Sequence, residues 1–276
     1  MYFISKTDKK LIKYKFFIQG GLFMFKKLAI VAALATSASF ASWDMYPVLE
    51  QHKGEVSVGV NYSTDENTKE LSVPVGARFS VIQNLELAFM LPYRIFTHDK
   101  NGNDIKRDGF EELAFMARYK ITPTTSAFAD IRTPIGDGSD YEKKTWIAAT
   151  GAQYSNSINP FIRFGSEIGL TTYFVRKMNL TTFSLNASTE FEFKVTPQFT
   201  PYVGANLGVL LGSITEDGYR FNSAGDGHVD ARIYVGAKYA FNDMFEVGVN
   251  AGIWFGNCFY KDNTEKSIGT YGRFKF

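Results

Sequence analysis

The chain has 276 residues with a formal net charge of +2, and its 45% hydrophobic and 16% aromatic content can build a core, which excludes a long disordered polymer. Residues 1–41 hold seven lysines against one acid, Asp8, so the remainder is net negative and has nothing to offer nucleic acid. No run reaches the roughly 18 uninterrupted apolar residues that a membrane-spanning helix needs.

The first recognisable element begins at Met24. Met24-Phe25-Lys26-Lys27 is followed by a nearly all-apolar run from Leu28 to Leu34 and by small residues ending Ser39-Phe40-Ala41. A basic start, a short apolar centre and a small-x-small end make a secretory leader, apolar enough to engage export and too short to anchor. Cleavage is expected between Ala41 and Ser42. Residues 1–23 then precede a leader, which reads as a misassigned upstream extension with Met24 as the initiator. Export agrees with the cysteine usage, because Cys258 is alone and cannot form an internal disulfide.

From Ser42 onward the dominant period is two. Phe245, Val247, Val249, Ala251, Ile253 and Phe255 alternate with Glu246, Gly248, Asn250, Gly252 and Trp254. A strand places these two sets on opposite faces, one suited to lipid and one to water. The same pattern predicts twelve strands over 54–62, 70–81, 85–96, 110–122, 126–136, 145–155, 160–175, 180–196, 199–214, 231–242, 245–260 and 267–276. The connections alternate in kind. Those at 82–84, 123–125, 156–159, 197–198 and 243–244 are short, and those at 63–69, 97–109, 137–144, 216–230 and 261–266 are longer and polar. The connection at 176–179 breaks the length rule. An even number of strands with short turns at one end and long loops at the other predicts an all-β fold, a transmembrane antiparallel β-barrel over residues 42–276. Residues 42–52 lack alternation and are expected at the barrel mouth.

Charge placement decides which phase faces inward. One phase of every predicted strand is free of charge, Glu111 at the start of 110–122 excepted, and a lysine or arginine there would cost about 2–4 kcal/mol at the bilayer midplane. The opposite phase collects the lumen and selectivity candidates Arg78, Glu86, Arg94, Glu112, Arg118, Asp130, Arg132, Arg163, Glu167 and Arg232. Glu55, Lys120, Glu190, Glu192, Lys194, Lys238, Glu246, Arg273 and Lys275 fall there as well. Recurring Val-Gly-Ala-Asn-type segments, such as 203–207 and 235–239, put glycine inward, where it leaves room in a crowded interior. Tyr62, Phe79, Tyr119, Tyr154, Tyr239, Phe241 and Phe245 lie near strand ends, as interfacial girdles require. Pro74, Pro92 and Pro134 fall inside strands in the inward phase, where local bulges are expected. The final strand ends on Phe274 and Phe276, the form of a C-terminal signal for barrel assembly machinery.

Catalytic and metal chemistry is nearly absent. His52, His98 and His228 make no pair at metal-ligand spacing, so no metal and no cofactor are expected. His98-Asp99 in a loop is the one feature for a hydrolase at the rim, and Asp99 to Asp104 is a weak calcium-loop pattern better read as a solvated surface loop. Twelve strands lie between the side-chain-filled eight-stranded barrel and the aqueous sixteen-stranded one, so the lumen charges either line a narrow pore or pair to close it.

Three segments carry a family likeness. Leu91-Pro92-Tyr93-Arg94 ends one strand, Gly109-Phe110-Glu111-Glu112-Leu113 opens another that continues to Arg118-Tyr119, and Thr133-Pro134-Ile135-Gly136-Asp137 closes a third. Their order resembles the outer-membrane transporter-like family named for the MetA pathway of phenol degradation. In this chain Glu111-Glu112 stands for the family's Gly-Asp, and Ile135 for its Thr. The resemblance implies an outer-membrane barrel for passage of small, apolar molecules. The expected function is a passive channel or facilitator in the outer membrane, not an enzyme, with outer-membrane lipid, the assembly machinery and a small-molecule solute as partners. A non-conducting barrel with a structural or surface-interaction role is the alternative.

Overall fold

The computed structural model describes residues 48–99, 101–106, 108–135, 145–175, 180–215, 218–221, 229–256 and 263–276. Within the unit Thr36–Phe276, twelve long strands close into an antiparallel barrel. They are β1 (Gly54–Thr64), β2 (Thr68–Ile82), β3 (Leu85–Asp99), β4 (Glu112–Lys120), β5 (Thr125–Pro134), β6 (Thr145–Asn159), β7 (Ile162–Val175), β8 (Leu180–Phe193), β9 (Phe199–Thr215), β10 (Val229–Ala240), β11 (Phe245–Gly256) and β12 (Asn263–Lys275). Each pairs with its chain neighbours, and β1 pairs with β12 to close the ring. Three short segments, Asp104–Lys106, Gly109–Phe110 and Gly218–Phe221, extend the pairing of β3 and β9 into regions expected as loops, except that Phe110 was expected to open a strand.

The short turns share one device. Thr122, Asn159, Thr196 and Asn242 each accept two backbone N–H groups, two and three residues ahead, on a side-chain oxygen. A side chain that satisfies the turn's own amides stabilises a tight reversal without longer loop structure. The turn between β2 and β3 instead uses Asn84 in the left-handed region, at φ 72°. The expected strand ends at 121–122, 194–196 and 241–242 belong to these turns, because their side chains serve the reversal and not the ladder.

Burial alternates with the predicted phase. Outward residues such as Val58, Phe89, Phe115, Ile168, Leu170 and Val235 are exposed large hydrophobics, while the inward phase is buried and polar. That inversion of a soluble core is what a barrel in lipid requires. At the short-turn end, Tyr239, Phe241 and Phe245 form a string of ring contacts at 5.0 and 5.7 Å, and Phe274 stacks on Phe276. Phe79, Tyr119 and Tyr154 are likewise exposed at strand ends.

Two expectations need correction. The outward phase is not wholly free of charge. β2 begins at Thr68 and β12 at Asn263, so Lys69 and Lys266 are strand residues on the outward phase. The prolines also behave differently from expectation. Pro74 and Pro92 face each other across β2 and β3, and the two register shifts of that pair lie elsewhere, between Leu71 and Ser72 and between Ser80 and Ile82. Next to each proline the neighbouring ladder lapses, between Val58 and Asn61 on β1 and beyond Met90 on β3, since proline supplies no N–H. Glu111 resumes that second ladder by donating its N–H to the Pro92 carbonyl at 3.0 Å.

The chain enters the barrel at its short-turn end. His52 donates its N–H to the Ser80 carbonyl and Ser80 donates back to that of Lys53. Val48 is buried, and the Leu49 N–H donates to Glu86 Oε2 at 2.9 Å. These contacts place the described part of the pre-strand segment at the barrel mouth. Residues 42–47, the leader, Cys258 and His228 lie outside the described residues.

Candidate functional site

The candidate site is the lumen. Register makes it, because directly opposed residues in an antiparallel pair share a face. At the short-turn end, opposed Glu55 and Arg78 join with Glu55 Oε2 2.9 Å from Arg78 Nε, and Arg78 reaches Glu86 at 3.5 Å. Glu55 also faces Arg273 at 3.6 Å, which lies 3.1 Å from Glu246, which in turn lies 3.0 Å from Lys275. The result is an alternating line, Glu86-Arg78-Glu55-Arg273-Glu246-Lys275, that crosses five strands and the closure between β1 and β12. Burying any one of these ions alone would be costly, and the alternation neutralises each.

The same end holds two further clusters. Arg118 grips Asp130 with both terminal nitrogens, and its guanidinium lies 4.9 Å from the Phe128 ring centre. Glu192 bridges Lys238 and Arg163, the latter at 3.4 Å. Gln153 donates to Glu167 at 2.7 Å.

One tier higher, inward glycines receive aromatic rings from the adjoining strand or, at Gly169, from the next strand but one. Tyr234 lies over Gly204, Tyr202 over Gly236, Tyr271 over Gly248, and Phe128 over Gly151 and Gly169. A Cβ at Gly204 would sit 2.2 Å from the Tyr234 ring, so only glycine admits it. The Tyr234 hydroxyl donates to Glu190 Oε2 at 3.0 Å, deep in the wall where Glu190 has no exposed surface.

Four of the candidates lie toward the long loops. Arg94 is buried and pairs with Glu111 at 3.3 Å. Arg232 donates to Ser267 at 3.2 Å and lies 5.8 Å from the Tyr234 ring centre, in space left by Gly252. Glu112 opposes Pro134, and Arg132 is exposed with no ion pair among the described residues. All ten candidate residues therefore lie on the inward phase, and most are held in pairs. Residue type alone did not single out Tyr202, Tyr234, Tyr271 or Phe128. Their signal is an inward aromatic opposite an inward glycine, which appears only once register is known.

The hydrolase residues His98 and Asp99, expected in a loop, are the last two residues of β3, and the rest of the calcium-loop pattern follows them at the rim. His98 Nε2 lies 2.8 Å from Asp104, and its ring stacks on Phe96 on the outward face. Asp99 accepts hydrogen bonds from the Asn103 side chain and from the backbone N–H groups of Asn103 and Asn101. Beyond the lipid-facing band, these bonds, the Asn103 side chain first, hold its carboxyl down at about 2. Asp99 is thus the anchor of a turn.

No family model matches the chain, and no curated protein sequence matches it. Among solved structures it is similar to an outer membrane channel from Pseudomonas putida F1, with a TM-score of 0.66 and 12% identity, over 84% of this chain and 98% of that one. The fold is that of an outer-membrane barrel. The NanC porin (TM-score 0.49, 11% identity, 78% and 98% of the two chains) and the CymD monoaromatic hydrocarbon channel (0.45, 8%, 82% and 88%) are more distant.

Proposed function

We propose that the chain is exported, cut between Ala41 and Ser42, and resides in the outer membrane as a passive channel or facilitator for small molecules. The observation that supports this reading is the sorting of side chains on a closed ring, apolar outside and charged inside. Phe274 and Phe276 serve as the C-terminal signal for the assembly machinery. The motifs between Leu91 and Asp137 favour the MetA-pathway family and, with it, small apolar solutes.

The charged lumen acts as the filter, with an uneven division of labour. Arg78, Arg94, Arg118, Glu86 and Asp130 set the bore by holding each other against the wall. Arg132 and Arg163, the more exposed arginines, project their field into the passage and set ion preference. Single-channel recording in planar bilayers tests this. Discrete steps whose reversal potential moves toward cation preference in Arg132→Glu are expected. Silence from protein shown to be folded would overturn the channel.

One observation favours a second reading, a non-conducting barrel closed by its own ion pairs. Nine lumen charges, Glu55, Arg78, Glu86, Arg94, Arg118, Glu190, Glu192, Glu246 and Arg273, are buried. The same recording separates the two.

A further inference from the structure

Across the twelve strands, Lys69 and Lys266 are the only charged side chains on the outward phase among those described. They do not fall at random. Thr64 of β1 opposes Lys266 of β12 on one side and Lys69 of β2 on the other, with unbroken register through both ladders. The two lysines are therefore two strand spacings apart, about 10 Å, on one level and one face. Both are exposed, and neither has an ion pair among the described residues.

Their height on the wall is informative. Along β2 the outward residues run Val81, Phe79, Ala77, Val75, Val73 and Leu71 before Lys69. Ten residues at about 3.3 Å each, tilted about 40°, give roughly 25 Å, the height of a barrel's apolar band. Lys69 and Lys266 emerge just past that band at the long-loop end, directly above Leu71, Tyr62 and Ile268. One nearby acid, Asp104, shares the outward face beside His98, which stands opposite Lys69, and the rest lie at the hairpin tip or on the inward phase. Asp65 takes the Asn67 and Thr68 N–H groups of its own turn, Glu70 is bound by Thr97 on the inward face, and Asp104 holds His98. Glu265 lies on the inward phase, and Glu66 is exposed at the hairpin tip.

We propose that Lys69 and Lys266 clamp a phosphate of a phosphorylated glycolipid in the outer leaflet. A charge on the lipid-facing phase is tolerated only where it meets headgroups, and two ammonium groups on flexible stems suit one phosphate between them. The small Thr64 side chain leaves the gap. The clamp rests on the outer-membrane reading but not on conduction, so a silent barrel leaves it intact.

The test is native mass spectrometry of the exported chain purified from Gram-negative outer membranes in mild detergent, with retained phosphorylated glycolipid counted. Retention should fall about fivefold for each of Lys69→Gln and Lys266→Gln and roughly 25-fold for both. Mobility shift on boiling controls for folding. A second measurement needs no variant: the unaltered protein, exchanged into dephosphorylated glycolipid, should lose retention to the same degree. Equal retention in the folded double variant, or of the dephosphorylated lipid, overturns the clamp. Displacement of the lipid by millimolar inorganic phosphate would identify a free-anion site and overturn the lipid assignment.

Discussion

Tyr234 fills the space above Gly204, and on the same two strands Tyr202 fills the space above Gly236. This reciprocal exchange locks β9 to β10 inside the lumen, with the rings 6.4 Å apart at 65°. Gly204→Ala should therefore destabilise the folded barrel by about 1–3 kcal/mol through overpacking. Urea titration in detergent checks it. The double variant with Tyr234→Ser should recover part of the loss, because the clash goes with the ring.

Glu55 is the shared acid of Arg78 and Arg273. Glu55→Gln removes the charge that two buried guanidinium groups share, leaving Arg78 with Glu86 and Arg273 with Glu246. A loss of about 3–5 kcal/mol is expected, read as a lower temperature for the boiling-dependent gel shift. Arg132→Gln, at an exposed lumen position, should stay within about 0.5 kcal/mol. Equal effects of the two would refute the network.

Phe128 is the large apolar side chain of the lumen wall across β5 to β7, covering Gly151 and Gly169. Phe128→Ala should cost about 3–5 kcal/mol and, in the channel reading, enlarge unit conductance. Unchanged conductance from folded protein would place the constriction elsewhere.

Asp99 supplies a pH dependence outside the membrane. Its carboxyl is held below the ordinary value, so its ionised form stabilises the loop above the ordinary pKa, and that contribution is lost as pH falls through about 2. Amide NMR shifts of Asn101 and Asn103 should titrate with a midpoint near about 2. A midpoint at the ordinary value of 3.8 would show that the turn forms without the carboxylate.

Period-two patterning made all twelve strands legible, because alternation and turn residues are local signals. Phase was legible too, since Glu55, Arg78 and their like admit one side only. Partnership was not. Glu55 and Arg78 meet through the β1–β2 register, and Glu55 and Arg273 meet only because the first and last strands pair. Lys69 and Lys266 were hidden for a different reason. They follow polar loop text, so hydropathy ends the strand before them, while backbone pairing continues into the loop. The split before β4 was equally silent, because it follows from a proline on β3 and not from residues near Glu111.

The N–H groups of Gly54 and Phe276 each donate to the other's carbonyl at 2.9 Å, so the final residue rests against the first residue of the ring. A nascent chain lacking Asn263–Lys275 therefore has two raw edges and a carboxylate at Glu55 missing half its neutralisation. Closure of the ring therefore depends on its final thirteen strand residues, which pair with β1 on one side and β11 on the other.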